Sequence, residues 1–591
     1  MKHQFIMRIF FSTLFFLTTL LLTSFQSPPI TGTVVKAADY PKNYFQLPID
    51  GTLSMSGSFG ELRGNHFHAG IDMRSTKPAG HQPIFAAADG YIGRIKTQGG
   101  GYGQALYIIH DNGYTTVYAH LDNFMPEVMR FVREKQYTAE QFEQNISLDT
   151  TQFRVKKGQQ IGTMGTRGNS FGEHLHFEIR ETATEKAINP LLFGFYVPDH
   201  SPPVISLLKA YYLNDKNEII GSNVYYPNKK NGGYVLEKDT IAVPYNKIAF
   251  AIEVNDAADG KSGKNGIYKL LTKVDSQTIY RFTAETCGFA ESRYLNAHTD
   301  YEYYKTSKIH LHRTFVLPGN HLTMYDSVLN YGIIDMSPAA KKISIAVEDV
   351  LGNATSLNFL VKNKDIDVHK ASKNSNYKYF LPYDQISLLQ PVGAEIRFPL
   401  GCLYDNLYMK FGTTQRESGT FSSVYHLHNT NTPLHRDFEI AIAPQNLPDS
   451  LRQKAFVAYC ERDDERTYNC GGSWRNDGYL SAQDNNFGNY CIMLDTIAPT
   501  ITPVSFQTDL KALSKISFKI KDNFEPMGEG TTFKYRATVD NQFLLMEYDA
   551  KYATIFHNLN ENKIPKGEHI FKLEVTDFSG NKRIFERSIK R

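Results

Sequence analysis

Residues 104–121 read QALYIIHDNGYTTVYAHL. Two β-favouring runs flank Asn112-Gly113, the dipeptide that most strongly marks a hairpin. The second run ends on His120. Just upstream, PIFAAADGYIGRI (83–95) reads as a strand, a turn at Asp89-Gly90 and another strand. With many glycines nearby, residues 38–200 are expected to form a β-sheet domain in which a histidine stands at a strand end.

Between His120 and Val155 the pattern changes. PEVMRFVREKQYTAEQFEQN is charged and apolar at helical spacing, with Val128, Phe131 and Val132 on one face. The spacing predicts a helical insertion over 124–153. It leaves the core just after His120, so it is expected to border any groove there and to act as a lid or a gauge of substrate length.

Beyond residue 200 the chain is β-rich and repeats itself. DHSPPVISLL (199–208) has a counterpart in DTIAPTITPV (495–504). ISIAVEDVLGNATSLNFLV (343–361) has one in FKLEVTDFSGNKRIFERSI (571–589), each reading strand, Asp, Gly-Asn turn, strand. This divergent repeat predicts immunoglobulin-like β-sandwiches at 201–365 and 496–591, with a further β-sandwich at 377–495 and a linker at 363–376. The fold class expected is mainly β, with about three β-sandwich domains after the first unit.

The totals agree with several domains. A chain of 591 residues is too long for one core. Tyr (36) and Phe (39) are abundant, as a β-rich chain requires. The formal net charge of +3 gives no electrostatic case for nucleic-acid binding. Lys2 and Arg8 precede the apolar run Ile9–Leu22, the order of a secretory signal. Residues 1–37 are therefore expected to be a signal peptide and short linker. The protein is expected in the periplasm or cell envelope, membrane-tethered if that segment stays uncleaved. Four of the five cysteines fall in 402–491, where Cys460 and Cys470 could close a short loop.

Three features of the first unit carry chemistry. His68 and Asp72 lie four residues apart around Gly70, in a loop expected to run into a strand. His174 and His176 alternate on one strand face in HLHFEIR (174–180). His120 ends the hairpin. Imidazole nitrogen and carboxylate oxygen both suit Zn²⁺. Two other His-Leu-His pairs, His310/His312 and His426/His428, are assigned to sandwich faces. His66 and Tyr118 are candidates for lining a substrate groove, Tyr118 because alternation would turn it the same way as His120. The Gly99–Gly103 run is expected to permit a close backbone approach beside the groove.

Residues 56–192 resemble the zinc-dependent peptidoglycan peptidases of the lysostaphin/LytM type, the M23 peptidase family. The resemblance rests on HAGID, AAADGYIGRI, GGGYGQALYIIHDNGYTTVYAHL, VKKGQQIGTMGTRGNSFG, HLHFEIR and NPL, in that order. It implies a lysostaphin-like antiparallel β-sheet peptidase domain holding one Zn²⁺ through His68, Asp72 and His176. It also implies His120 and His174 as the catalytic histidines beside the metal, and peptidoglycan peptides as substrate. The sandwiches would then meet cell-wall or envelope proteins. Two departures are Glu173, where the family usually has Pro, and the long 124–153 insertion. The alternatives are a non-catalytic or latent regulator of another cell-wall hydrolase, and a surface or glycan-binding protein.

Overall fold

The structure, a computed structural model, describes residues 40–257, 265–364, 376–461, 466–528 and 533–591. The expected signal segment and most of the expected linker at 363–376 lie outside the described residues. No helix among the described residues is long and apolar enough to cross a membrane.

The chain is mainly β. Its first unit runs β1 (Met55–Gly57), β2 (Ile71–Arg74), β3 (Pro83–Phe85), β4 (Gly90–Thr97), β5 (Gln104–Ile109), β6 (Tyr114–Ala119), β7 (Leu121–Phe124), α1 (Pro126–Ala139), β8 (Gln144–Ser147), β9 (Arg154–Val155), β10 (Gln160–Met164), β11 (His174–Glu181) and β12 (Ala187–Ile188). The main sheet has the order β1-β2-β11-β6-β5-β4-β8, and β3-β10-β7 form a second, smaller one. The β5–β6 hairpin closes on Asp111, Asn112 and Gly113, with Gly113 at φ +84° and His110 N–H bonded to Tyr114 O. A third loop residue in the left-handed region is the geometry that glycine accommodates.

Leu106, Ile108, Tyr118, Phe177 and Ile179 are fully buried in this unit's core. Each such side chain contributes about 1.5–3 kcal/mol of hydrophobic stabilisation. The antiparallel register sets the site. On one side of β11, His176 lies opposite Asp72 of β2; on the other it lies opposite Ala119, the residue before His120.

The 124–153 insertion is helical only in its first half. Helix α1 ends at Ala139, with Glu140 left-handed at φ 49°, and β8 then pairs with the free edge of β4. An edge strand that short is decided by the neighbour offering hydrogen bonds rather than by its own sequence. Val128 and Val132 are buried as the spacing requires. The far end of the insertion packs elsewhere than expected. Phe142 is buried in the core of the last sandwich, and Tyr137 meets Phe543 edge to face at 5.7 Å. The insertion is a mount for that sandwich.

Residues 204–363 form a five- and a seven-stranded sheet around a core that includes Leu208, Phe250, Leu270, Ile345 and Leu357. Residues 379–494 form further sheets around Ile396, Phe438, Val457 and Ile492. Residues 500–590 hold two four-stranded sheets around Phe518, Ile555, Phe571 and Leu573. Cys287, Cys402, Cys470 and Cys491 are free thiols, so no disulfide closes the loop expected between Cys460 and Cys470. The first unit is keyed into its neighbour: Phe59 and Phe67 are buried in the 204–363 core, and β12 pairs with the strand Thr286–Cys287.

Candidate metal centre

Three ligand-type atoms converge at the top of β2 and β11. His68 Nε2 is 3.1 Å from Asp72 Oδ1 and 2.9 Å from His176 Nδ1, and His176 Nδ1 is 3.0 Å from Asp72 Oδ1. All three residues are buried, at 5–6 % exposure. The local sequence explains each position. Gly70 lies against the Phe177 carbonyl, so close that a Cβ there would stand 2.4 Å from that oxygen. This lets the His68 loop fold onto β11.

Around these atoms, every other polar edge is already committed. His68 Nδ1–H donates to Ser58 O at 2.8 Å, so Nε2 carries the free lone pair. Arg63 donates to Asp72 Oδ2 at 2.8 Å, leaving Oδ1 for the centre. His176 Nε2–H donates at 2.8 Å to Glu178 Oε1, on a carboxylate that also accepts from Tyr102 Oη at 2.5 Å and from Arg180 Nε at 2.7 Å. A carboxylate behind a ligand histidine fixes its orientation and raises its basicity.

The electrostatics follow. Burial opposes charge on Asp72, yet His68 and His176 hold its carboxyl well below the usual range. Burial would raise Glu178, but Arg180 and His176 bring it down to about 2. Burial works against a proton on His176, but its bonds to Asp72 and Glu178 raise it to about 9. Metal binding displaces protons of this kind. The donor set fits zinc. Two nitrogens and one oxygen at about 2.0–2.2 Å from a tetrahedral ion sit roughly 3.3 Å apart, close to the spacing here.

The other two histidines face the same point. His174 Nε2 lies 3.6 Å from Asp72 Oδ1, and its Nδ1–H donates to Gly172 O at 2.8 Å. His120 follows β6 with φ +62°, its N–H bonded to Tyr102 O at 3.0 Å and its Nδ1–H to Arg167 O at 2.8 Å. The two rings are 4.8 Å apart. Burial, with His176 and His174 close by, lowers His120 to about 3, which keeps it neutral.

Gly103 and Gly168 interlock beside His120. A Cβ on Gly103 would lie 2.3 Å from the Arg167 carbonyl carbon, and both glycines have positive φ. The loops 99–103 and 165–170 can therefore close on His120 from two sides.

One candidate parts from the expected arrangement. Tyr118 does not reach the groove: it is fully buried, its Oη accepting from Ala87 N–H at 2.8 Å. The left-handed turn at His120 breaks the strand alternation that would have set the two side chains on one face. His66 is exposed, bonded to Asn65, and near enough to His68 and His176 for their charges to act on it. Sequence reasoning passed over Glu178, Arg180 and Tyr102. The alternation that singles out His174 and His176 continues through Glu178 and Arg180, and that was the available signal. Glu173 accepts from Gly80 N–H at 2.7 Å and ties down the loop beside the centre.

Most of the matches to known proteins fall on this unit. A model of peptidase family M23 matches residues 66–153 and 144–190, and a model of a Zu5-like domain matches 378–495. The lipoprotein NlpD of Yersinia enterocolitica is 36% identical over 112 residues, 19% of this chain and 89% of that protein. The DD-carboxypeptidase/endopeptidase Mpg of Neisseria meningitidis serogroup B is 34% identical over 132 residues, 22% of this chain and 24% of that one. The murein hydrolase activator NlpD of Escherichia coli strain K12 is 33% identical over 153 residues, 26% of this chain and 32% of that one. The chain thus spans about a quarter of the length of the carboxypeptidase/endopeptidase relative it matches.

Proposed function

Since the chain belongs to peptidase family M23, we propose that it is an exported zinc metalloendopeptidase of the periplasm or cell envelope, hydrolysing amide bonds of peptidoglycan stem peptides or cross-links. One observation carries this reading: His68 Nε2, Asp72 Oδ1 and His176 Nδ1 converge within 3.1 Å of one another, with His120 and His174 both beside them.

His68, Asp72 and His176 would hold the ion. Zinc bound there supplies Lewis acidity toward the scissile carbonyl and brings the pKa of a water toward about 7. The remaining chemistry belongs to the chain. His174 and His120 both have Nδ1–H anchored on a backbone carbonyl, so each offers Nε2 to accept a proton and return it to the leaving amine. Glu178 and Arg63 hold the ligands in place. Tyr102, stacked on His176 at 5.4 Å, walls the site from solvent.

The second reading, a regulator of another wall hydrolase, draws on the NlpD relatives, one of which is named an activator. The complete set of five residues supports catalysis over it. Incubating the purified full chain with intact peptidoglycan, with and without a chelator, tests the proposal by mass spectrometry of released fragments. New peptide ends that vanish with chelator are expected. A zinc-loaded chain that releases none would overturn the catalytic reading in favour of the regulator. His68→Ala and Asp72→Ala should lose both metal and activity. His174→Ala should keep metal and lose activity by about 10²–10⁴-fold.

A further inference from the structure

Two aspartate trios occupy the same positions in two different sandwiches. In the first sandwich, Asp199 stands ahead of strand Val204–Leu213. Asp256 follows strand Lys247–Asn255, and Asp349 opens the turn between Lys341–Glu348 and Ala354–Asn363. In the last, Asp495 stands ahead of Thr500–Ser505. Asp522 follows Lys515–Lys521, and Asp577 opens the turn between Glu568–Thr576 and Lys582–Lys590. Within each trio, one carboxylate oxygen from every member lies within 4.8 Å of the others.

The supporting bonds repeat atom for atom. Asn353 N–H donates to Asp349 Oδ1 at 2.8 Å, and its Nδ2 donates to Asp349 Oδ2 at 2.7 Å and to Asp199 O at 3.2 Å. Asn581 N–H donates to Asp577 Oδ1 at 2.7 Å, and its Nδ2 donates to Asp577 Oδ2 at 2.9 Å and to Asp495 O at 3.0 Å. Both trios are thus held in one shape by the same scaffold.

On three of the six carboxylates one oxygen lacks a donor among the described residues. Asp256 is 5 % exposed and its Oδ1 has no hydrogen-bond partner among the described residues. Its counterpart Asp522 Oδ1 has none either, and nor does Oδ2 of Asp495, which is 1 % exposed. A buried carboxylate oxygen without a partner is rare in a folded chain and calls for an ion or a proton. A small cavity lined by Asp199, Asp256 and Asp349 opens against the first trio, and Ser58 and Asn189 of the first unit line it too.

We propose that each trio binds one divalent cation of the calcium class, joining the connector that enters the sandwich to the turn at its far edge. An all-oxygen, multiply anionic donor set suits a hard cation rather than zinc. Calcium takes oxygens at about 2.3–2.6 Å, so its ligands can stand up to roughly 5 Å apart, which admits the spacing here. The competitor is the proton. Burial, with Asp349 and Asp199 beside it, pushes the Asp256 carboxyl up to about 7, and burial with Asp495 and Asp577 does the same at Asp522. The two ions would stiffen two joints, one between the first unit and its sandwich, the other between 379–494 and the last sandwich.

Equilibrium dialysis of the chelator-stripped full chain against calcium chloride tests this. Two calcium ions per chain are expected, one in Asp256→Asn, and none in Asp256→Asn/Asp522→Asn. The thermal midpoint of the unsubstituted chain should rise with calcium, and that of the folded double variant should not. The count on the unsubstituted chain stands whatever the variants do. No calcium retained at millimolar concentration overturns the proposal, as does a folded double variant that retains the same two ions. A chain that binds no calcium but gains stability from the double substitution would show that the carboxylates share protons instead, and overturns it too.

Discussion

Arg167 donates through Nη1 to Glu547 Oε2 at 2.7 Å, across 380 residues of sequence. The carbonyl of the same Arg167 accepts from His120 Nδ1. The last sandwich thus reaches the candidate centre through Arg167. Glu547 is buried and also pairs with Arg133 on α1. Lys551 donates to Ser170 O, and Ala550 N–H donates to Gly99 O. Both loops that close on His120 are therefore gripped from residues 547–551.

Glu547→Ala should leave two arginines without their shared buried partner. The expected cost is about 3 kcal/mol, the scale for breaking a buried ion pair. Urea unfolding of the full chain measures it. Peptidase activity should fall several-fold as the 165–170 loop loosens. An unchanged midpoint and rate would show that the clasp positions nothing.

The same group predicts an acid response. Burial opposes ionisation of Glu547, but Arg167 and Arg133 hold its carboxyl below the usual 4.5. Between its folded value and 4.5 the unfolded chain binds more protons, so stability rises with pH in that window. The contribution is complete above about pH 4.5 and is lost as pH falls through the folded value. Comparing unfolding free energies at about pH 6 and about pH 3 should show a loss that is smaller in Glu547→Gln.

Glu178→Gln removes the charge behind His176 while keeping its shape. Zinc affinity should weaken by about 10–100-fold, read by competition with a chromophoric chelator. Equal affinity in the variant would mean that orientation alone, not carboxylate charge, is what Glu178 contributes.

Gly103→Ala puts a methyl group against the Arg167 backbone at a position with φ +64°. A loss of roughly 1–3 kcal/mol is expected from backbone strain and overpacking. Activity should fall further than stability explains, because the two loops that part are those bonded to His120. Parallel unfolding and rate measurements separate the two effects.

The first unit was readable in the sequence because its chemistry restricts residue type. His68, Asp72, His120, His174 and His176 stand in a glycine-rich β pattern, and the structure gathers all five. The limits were local. Tyr118 was misplaced because alternation was carried one residue past the end of β6, where His120 turns left-handed. Gln144–Ser147 was taken for helix because only the open edge of β4 makes it a strand. Phe142 carries no mark that its pocket lies some 400 residues away. The repeated Asp-turn-Asn phrases were visible at Asp349 and Asp577, but Asp256 and Asp522 sit in dissimilar stretches that only the fold brings to them.

The clasp at Glu547 also has a consequence in time. The chain emerges amino-terminal end first, and its domains fold as they appear. His68, Asp72 and His176 can meet once the 204–363 core that buries Phe67 has formed, whereas the grip on Arg167 and Gly99 waits for residues 547–551. A nascent or truncated chain would thus carry its ligands in place around an unbraced His120. Full competence would come last, once the most distant segment of sequence had returned to where the fold began.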